Sequence, residues 1–212
     1  MHPIVDRTLP ASRFPRLTPL TDDVELRAYA DAYERASGYR VPEAHLRRST
    51  VLGLLVAGRL VGGAVLSGTE PLRTLQRLPS SEQGRIRERL APRRVVDVSC
   101  VWLTAEFRRS AVSGIFWWAL LRRIHLTGAE DVLFGTERPG LYRLYLTTHA
   151  ELLYQGPVTV DGQDVFGWIF LKKNTSPWPV AARMTLHTAR RRARRPARRV
   201  RAGAATAAGP SR

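Results

Sequence analysis

Between residues 95 and 123 the chain reads VVDVSCVWLTAEFRRSAVSGIFWWALLRR, and this stretch holds the side chains best placed to do chemistry. Asp97 and Ser99 are two residues apart in an apolar run, so on a strand they point to the same face. With Val95, Val96 and Val98 around it, Asp97 would be desolvated and its pKa raised toward the range of a general base, with Ser99 orienting substrate or water. The alternative is a carboxylate held in an ion pair by one of the many arginines. Beyond the strand, the small residues Ser110 to Gly114 lead into a helix. Such a junction presents unpaired backbone N–H groups where the helix dipole also favours anions, a basis for holding phosphate or pyrophosphate, although small residues at a helix start also serve a purely structural end. Cys100, in a continuous apolar strand with no histidine near it in sequence, reads as core. No G-x-S-x-G elbow is present. Phe116, Trp117, Trp118, Leu120 and Leu121 make the following helix apolar almost all round, the pattern of a buried helix or of one wall of an acyl-chain tunnel.

The elements that must position these residues follow from periodicity. After a proline-punctuated arm over 1–20, Asp22 and Glu25 form a capping pair for a helix over 23–37, ended by Gly38. Residues 51–66 fold back at Ala57-Gly58-Arg59 as a hairpin, and Gly62 and Gly63 in its second strand allow close backbone approach. A basic connector over 71–94 contains a helix after Ser80 or Ser81. Strand 95–103, helix 113–127, strand 131–135 and helix 141–152 follow, an order that implies parallel strands with crossover helices. Strands 158–160 and 165–171 flank the turn Asp161-Gly162. This makes an α/β chain of one folded domain over 21–173. From 174 to 212 a Pro, Arg and Ala-rich composition without apolar periodicity predicts a mobile basic tail.

The order of elements and the local sequence resemble the GNAT acyltransferase superfamily. The family's turn signature is Q/R-x-x-G-x-G/A. Here it reads Arg108-Arg109-Ser110-Ala111-Val112-Ser113, preceded by Thr104-Ala105-Glu106-Phe107 where the family usually has a Pro-x-aromatic approach. Arg108 is retained, while Ala111 and Ser113 stand at the two small positions and bring Cβ atoms where glycine allows close approach. In the next helix the family's N-x-x-A-x-x-x-Y corresponds by spacing to Arg138, Leu141 and Tyr145. The resemblance implies that Tyr145 protonates the departing thiolate; the plainer reading is an aromatic beside Tyr142. A narrower similarity is to the autoinducer synthases and the related N-acyl amino acid synthases. Their fourth strand has Glu-x-Ser-Arg where this chain has Asp97-Val98-Ser99-Cys100, and they share a Gly-Pro, strand, Gly turn and strand with residues 154–162. Asp for Glu and Cys for Arg point away from a homoserine lactone synthase and toward acylation of a different amine.

What the resemblance implies is a GNAT-like mixed, mostly antiparallel sheet with a splayed central parallel strand pair and helices on both faces. The donor would be an acyl-CoA or a phosphopantetheine-bound acyl group on a carrier protein, with no metal. Main-chain amides near Trp102 and Leu103 would hold the oxyanion, and Arg108, Arg109, Ser110, Ala111, Val112, Ser113 and Gly114 would grip the phosphates. The acceptor would be an amine of an amino acid, peptide or small molecule. The rival is a catalytically inactive module of this fold that binds acyl ligand, carrier protein or nucleic acid.

Charge and composition bound the partners. A hydrophobic share of 44% and a charged share of 25% are ordinary for a globular chain, but 34 Lys+Arg against 18 Asp+Glu give +16. Residues 183–212 contain arginines at 183, 190–192, 194, 195, 198, 199, 201 and 212 and no acid, so the excess is concentrated there. These clusters would bind a polyanion in a salt-dependent way, whether nucleic acid, an anionic membrane surface or an acidic partner, and they lack aromatics for base stacking. A further possibility makes this tail the active part and the domain its platform. The seven arginines of 71–94 would receive an acidic acyl carrier protein, or form a solvated face. One cysteine excludes an intrachain disulfide, and five scattered histidines have no metal-ligand spacing. Met1 to Arg13 lacks an apolar leader, and Gly114–Leu121 is too short to span a bilayer, so a soluble cytoplasmic protein is expected.

Overall fold

Seven strands form one sheet in the order β1-β2-β3-β4-β5-β7-β6, in a computed structural model that describes residues 14–108 and 110–193. The strands are β1 Arg16–Leu20, β2 Thr50–Val56, β3 Arg59–Ser67, β4 Val95–Leu103, β5 Asp131–Thr136, β6 Glu151–Val160 and β7 Gln163–Lys173. All neighbours are antiparallel except β4 and β5. The helices are α1 Asp23–Ser37, α2 Glu43–Arg47, α3 Arg73–Gln76, α4 Ser80–Leu90, α5 Ala111–His125, α6 Pro139–Leu146 and α7 Pro177–Ala193. The first four cover one face of the sheet, while α5 packs on the other and α7 packs against α5. No helix among the described residues is long and apolar enough to cross a membrane.

Local chemistry sets most of these boundaries. The Asp22–Glu25 capping box starts α1, and Gly38 at φ +83° ends it, both as the sequence predicts. The hairpin turns Ala57-Gly58 and Asp161-Gly162 each place two residues at positive φ, the geometry that matches strand twist.

Three expectations are corrected. The arm over 1–20 contributes a strand: β1 pairs with β2, and Pro19 is tolerated because β1 is an edge. The helix expected over 141–152 stops at Leu146. The hydroxyls of Thr147 and Thr148 bond the carbonyls of Leu144 and Tyr145, and His149 at φ +57° turns the chain into β6. The tail expected from 174 begins with α7, whose Val180 and Met184 lie buried against α5 and α6. Pro177 and Pro179 fall in its first turn, where helix N–H groups have no intrahelical partner to lose. The remainder of that segment, from 194, lies outside the described residues. Helices α2 and α3, each under two turns, had no periodicity to reveal them.

The feature that positions the site is the fork between β4 and β5. They pair over four rungs, Val95–Val98 with Asp131–Phe134, and then part. At the same level β4 carries one extra residue against β3 between the Ser99–Val65 and Trp102–Gly63 pairs, with Cys100 at φ +51°. This bulge switches the alternation of faces. Before it Val96 and Val98 face α5; after it Leu103 does, and Cys100 and Trp102 face α1. Gly63 is required here, because a Cβ would strike the Leu52 carbonyl and lie 2.5 Å from Tyr29 Cε2. Gly63→Ala should therefore lower folding stability by about 1–3 kcal/mol. A urea midpoint equal to that of the native chain would show that the sheet has slack at this point.

Candidate active site

The fork opens a cleft of about 500 Å³, including its mouth, lined by Val98 to Val101 of β4, the end of β5, and side chains from α1, α3 and α6. Tyr145, on α6, is buried there in edge-to-face packing with Phe134 and Phe170, whose ring centres lie 4.8 Å and 5.8 Å from its own. Burial pushes its phenol well above the ordinary range, and Glu137 acts in the same direction. At neutral pH Tyr145 therefore keeps its proton.

Ser99 lines the cleft and lies on the face of β4 that the sequence assigns to it. Its Oγ is 3.3 Å from His45 Nε2, and His45 Nδ1 is 3.4 Å from Arg48 Nη2. A guanidinium only donates, so Nδ1 must accept and the Nε2–H donates to Ser99. Burial, with Arg73, Arg48 and Arg77 adding to it, lowers the His45 pKa to about 4, so the imidazole is neutral and orients Ser99. His45 was missed in the sequence because it lies on the short helix α2, far along the chain from Ser99.

Asp97 sits on the same strand face, fully buried, yet it turns away from the cleft. One carboxylate oxygen accepts the Thr74 backbone N–H at 3.0 Å and the other accepts the Thr74 hydroxyl at 2.5 Å. Burial raises its pKa, opposed by those two hydrogen bonds and by Arg77. Asp97 therefore anchors α3 to β4. One turn on from Thr74, Arg77 lines the cleft with Glu137, 3.8 Å from it. The Arg77 Nε has no partner among the described residues. Arg77 and Glu137 are the charged pair of the cleft that sequence reasoning did not single out.

The backbone of β4 divides the two residues nominated for oxyanion contact. The Thr104 N–H donates to the Val61 carbonyl of β3, so by strand alternation Trp102 also faces β3 and Leu103 faces the edge that β5 has left. The Leu103 carbonyl accepts Arg108 Nε at 2.8 Å, which confirms its direction. Arg108 also reaches the Ala36 carbonyl at 3.3 Å. Burial lowers its pKa, as does the positive charge of Arg138. Two cations thus stand near one another by the fork.

At the start of α5 the amide of Val112 is occupied by the Ser110 side chain and that of Ser113 by the Ser110 carbonyl. Ala111 and Gly114 are exposed, and the space beside Gly114 is open. Arg109 lies outside the described residues. The basic stretch 71–94 is largely paired within the chain: Arg85 with Glu82, Arg87 with Glu70, Arg89 with Glu151, Arg93 with Asp131 and Arg94 with Glu130. It therefore presents less free positive charge to a carrier protein than its composition suggests.

No family model matches the sequence, and no curated protein matches it. Solved structures do match its fold. FeeM, an N-acyl amino acid synthase from uncultured soil microbes, is 12% identical, with a TM-score of 0.60 over 82% of this chain and 98% of that one. The ribosomal-protein-S18-alanine N-acetyltransferase from Escherichia coli is 11% identical, with a TM-score of 0.54 over 77% and 96%. Arabidopsis thaliana NAA60, solved in complex with acetyl-CoA, is 10% identical, with a TM-score of 0.55 over 76% and 98%. The chain has the fold of the GNAT acyltransferase superfamily.

The buried histidine gives a test of this site that needs no substrate. Its folded pKa lies below the ordinary 6.5, so between those values the unfolded chain binds more protons than the folded one. The stability that neutral His45 contributes is complete above about pH 6.5 and is lost as the pH falls toward about 4. Urea midpoints should drop more steeply between about pH 7 and about pH 5 for the native chain than for His45→Gln. Parallel curves would place His45 in contact with water.

Proposed function

We propose that the protein is an N-acyltransferase that moves an acyl group from a CoA-type thioester to the amine of an amino acid, peptide or small molecule. The carrying observation is the unpaired fork, which brings the β4 backbone of Val98 to Val101 and a protonated Tyr145 to one cleft, with the open strand edge running on to Leu103. The thioester carbonyl placed there is attacked by a neutral amine. The new C–N bond forms a tetrahedral intermediate whose oxyanion the β4 amide at Leu103 stabilises. As the C–S bond breaks, Tyr145 gives its proton to the leaving thiolate. The amine's proton passes to the carboxylate that lines the cleft, Glu137, directly or through one water.

Asp97 enters this reading as a positioning residue, since its two bonds to Thr74 hold α3 and with it Arg77. Ser99, fixed by His45, orients the acceptor. The cleft is polar, and Arg77 beside Glu137 suits an acceptor that carries both an amine and an acid, such as an amino acid. Arg108 and Arg138 suit the phosphates of CoA, as do the exposed start of α5 at Ala111 and Gly114. The pairing of the 71–94 arginines favours CoA over a carrier protein as donor. Full occupation of the Val112 and Ser113 amides favours one second reading, an acyl-ligand-binding module without turnover.

Mixed with acyl-CoA thioesters and a panel of amino acids, the purified chain should release free thiol. Tyr145→Phe should lower kcat by about 10²–10⁴ with little change in KM for the thioester. Thioester binding without thiol release across the panel would transfer the assignment to the binding module.

A further inference from the structure

On the side of the sheet away from α1 to α4, α5 packs on the strands and α7 packs on α5. Each helix buries one face and leaves an apolar stripe on another. On α7, Val180 and Met184 are buried, while Trp178, Ala182 and Leu186 are exposed, and their spacing of four puts them on one side of the helix. On α5, Phe116, Leu120 and Ile124 are buried, while Trp118, Arg122 and, just past the helix end, Leu126 recur on the opposite side at the same spacing. The two stripes meet where the rings of Trp118 and Trp178 lie 4.1 Å apart, centre to centre. Trp178 is nonetheless 68% exposed, and Leu126 and Leu186 are exposed too. The packing of this chain uses none of these three side chains as core, which marks the layer as a contact surface.

The charge of this layer has one sign. The chain contains no Asp or Glu over residues 111–129 and none after Asp164. Arg122, Arg123 and Arg183 are exposed and, like Lys172, make no ion pair among the described residues. Glu130 and Asp131, the acids next in sequence to α5, are already engaged by Arg94 and by Arg93 and Lys173. Burial lowers the Lys172 pKa and the charge of Arg183 acts the same way, so two cations stand near each other without a counter-charge. The sequence then adds arginines at 190–192, 194, 195, 198, 199 and 201. A nucleic acid would answer the arginines but not the leucines, and Trp118 and Trp178 lie on each other where base stacking needs open rings. A second copy would set arginine against arginine. An anionic bilayer answers both features, since its phosphates meet the cations while indole and leucine side chains enter the boundary beneath them.

We propose that the α5–α7 layer docks on an anionic lipid bilayer, with Trp178, Leu186 and Leu126 inserted at the interface and Arg122, Arg123 and Arg183 on the lipid phosphates. The layer lies on the membrane and does not cross it. Because charge supplies part of the attraction, attachment is reversible and weakens as salt rises. This surface is separate from the cleft and owes nothing to the acyltransferase reading.

The test is co-sedimentation of the full chain with vesicles of phosphatidylcholine, alone or mixed with phosphatidylglycerol. Only the mixed vesicles should retain it, and brominated acyl chains in them should quench its tryptophan emission. Trp178→Ser combined with Leu186→Ser leaves every charge in place and should weaken partitioning about tenfold. Arg122→Gln and Arg183→Gln should weaken it roughly fivefold each. A urea midpoint equal to the native chain's shows that the serine pair is folded; the quenching and the arginine variants do not depend on that pair. Failure to bind the mixed vesicles, binding without quenching, or binding that the folded serine pair leaves unchanged overturns the proposal. An RNA homopolymer bound as tightly as the vesicles, and weakened equally by the serine pair, would give the face to nucleic acid and overturn it as well. No arm of the test uses turnover, so its outcome is distinct from that of the thiol-release assay.

Discussion

Everything at the centre of this molecule depends on two parallel strands that stop pairing. Four rungs between β4 and β5 hold the sheet together, and two residues beyond the last of them the bulge at Cys100 turns β4 aside. Continued pairing would consume the main-chain groups that this stretch turns toward β5, those of Leu103 among them. Because it ends, a buried strand edge faces an open cleft, a costly arrangement unless something polar returns to it. Arg108 satisfies one carbonyl by folding back onto Leu103.

The polar groups around the fork are organised by burial more than by ion pairing. Asp97 carries a fully buried carboxylate held by both donors of one threonine, and the arginines of α3 are sunk in the same layer. Arg73 reaches the Arg40 carbonyl and lies near Asp161, so the start of α3 is fastened both to β4 and to the β6–β7 turn. A single turn of helix is too short to be stable alone. Here it is fixed by its side chains, which makes it a rigid bracket for Arg77.

Much of the fold was legible because its long elements obey simple periods. The capping pair of α1, the two hairpin turns and the Val95–Leu103 strand all announce themselves in composition. Tyr145 and Ser99, nominated by spacing on a helix and on a strand, both line the cleft. Asp97 was nominated as a base, and nothing in the local sequence shows that Thr74 answers it from another element. His45, Arg77 and Glu137 come together only through tertiary packing. The α7 segment was misread for a different reason: proline density signals disorder on average, but two prolines confined to a first turn are compatible with a helix, and only Val180 and Met184 reveal the side that packs.

Both outer strands of the sheet bear a proline, Pro19 in β1 and Pro157 in β6. Each removes one amide hydrogen from a border that could otherwise template a neighbouring chain. Copies of this protein are thereby discouraged from joining border to border into a continuous ribbon.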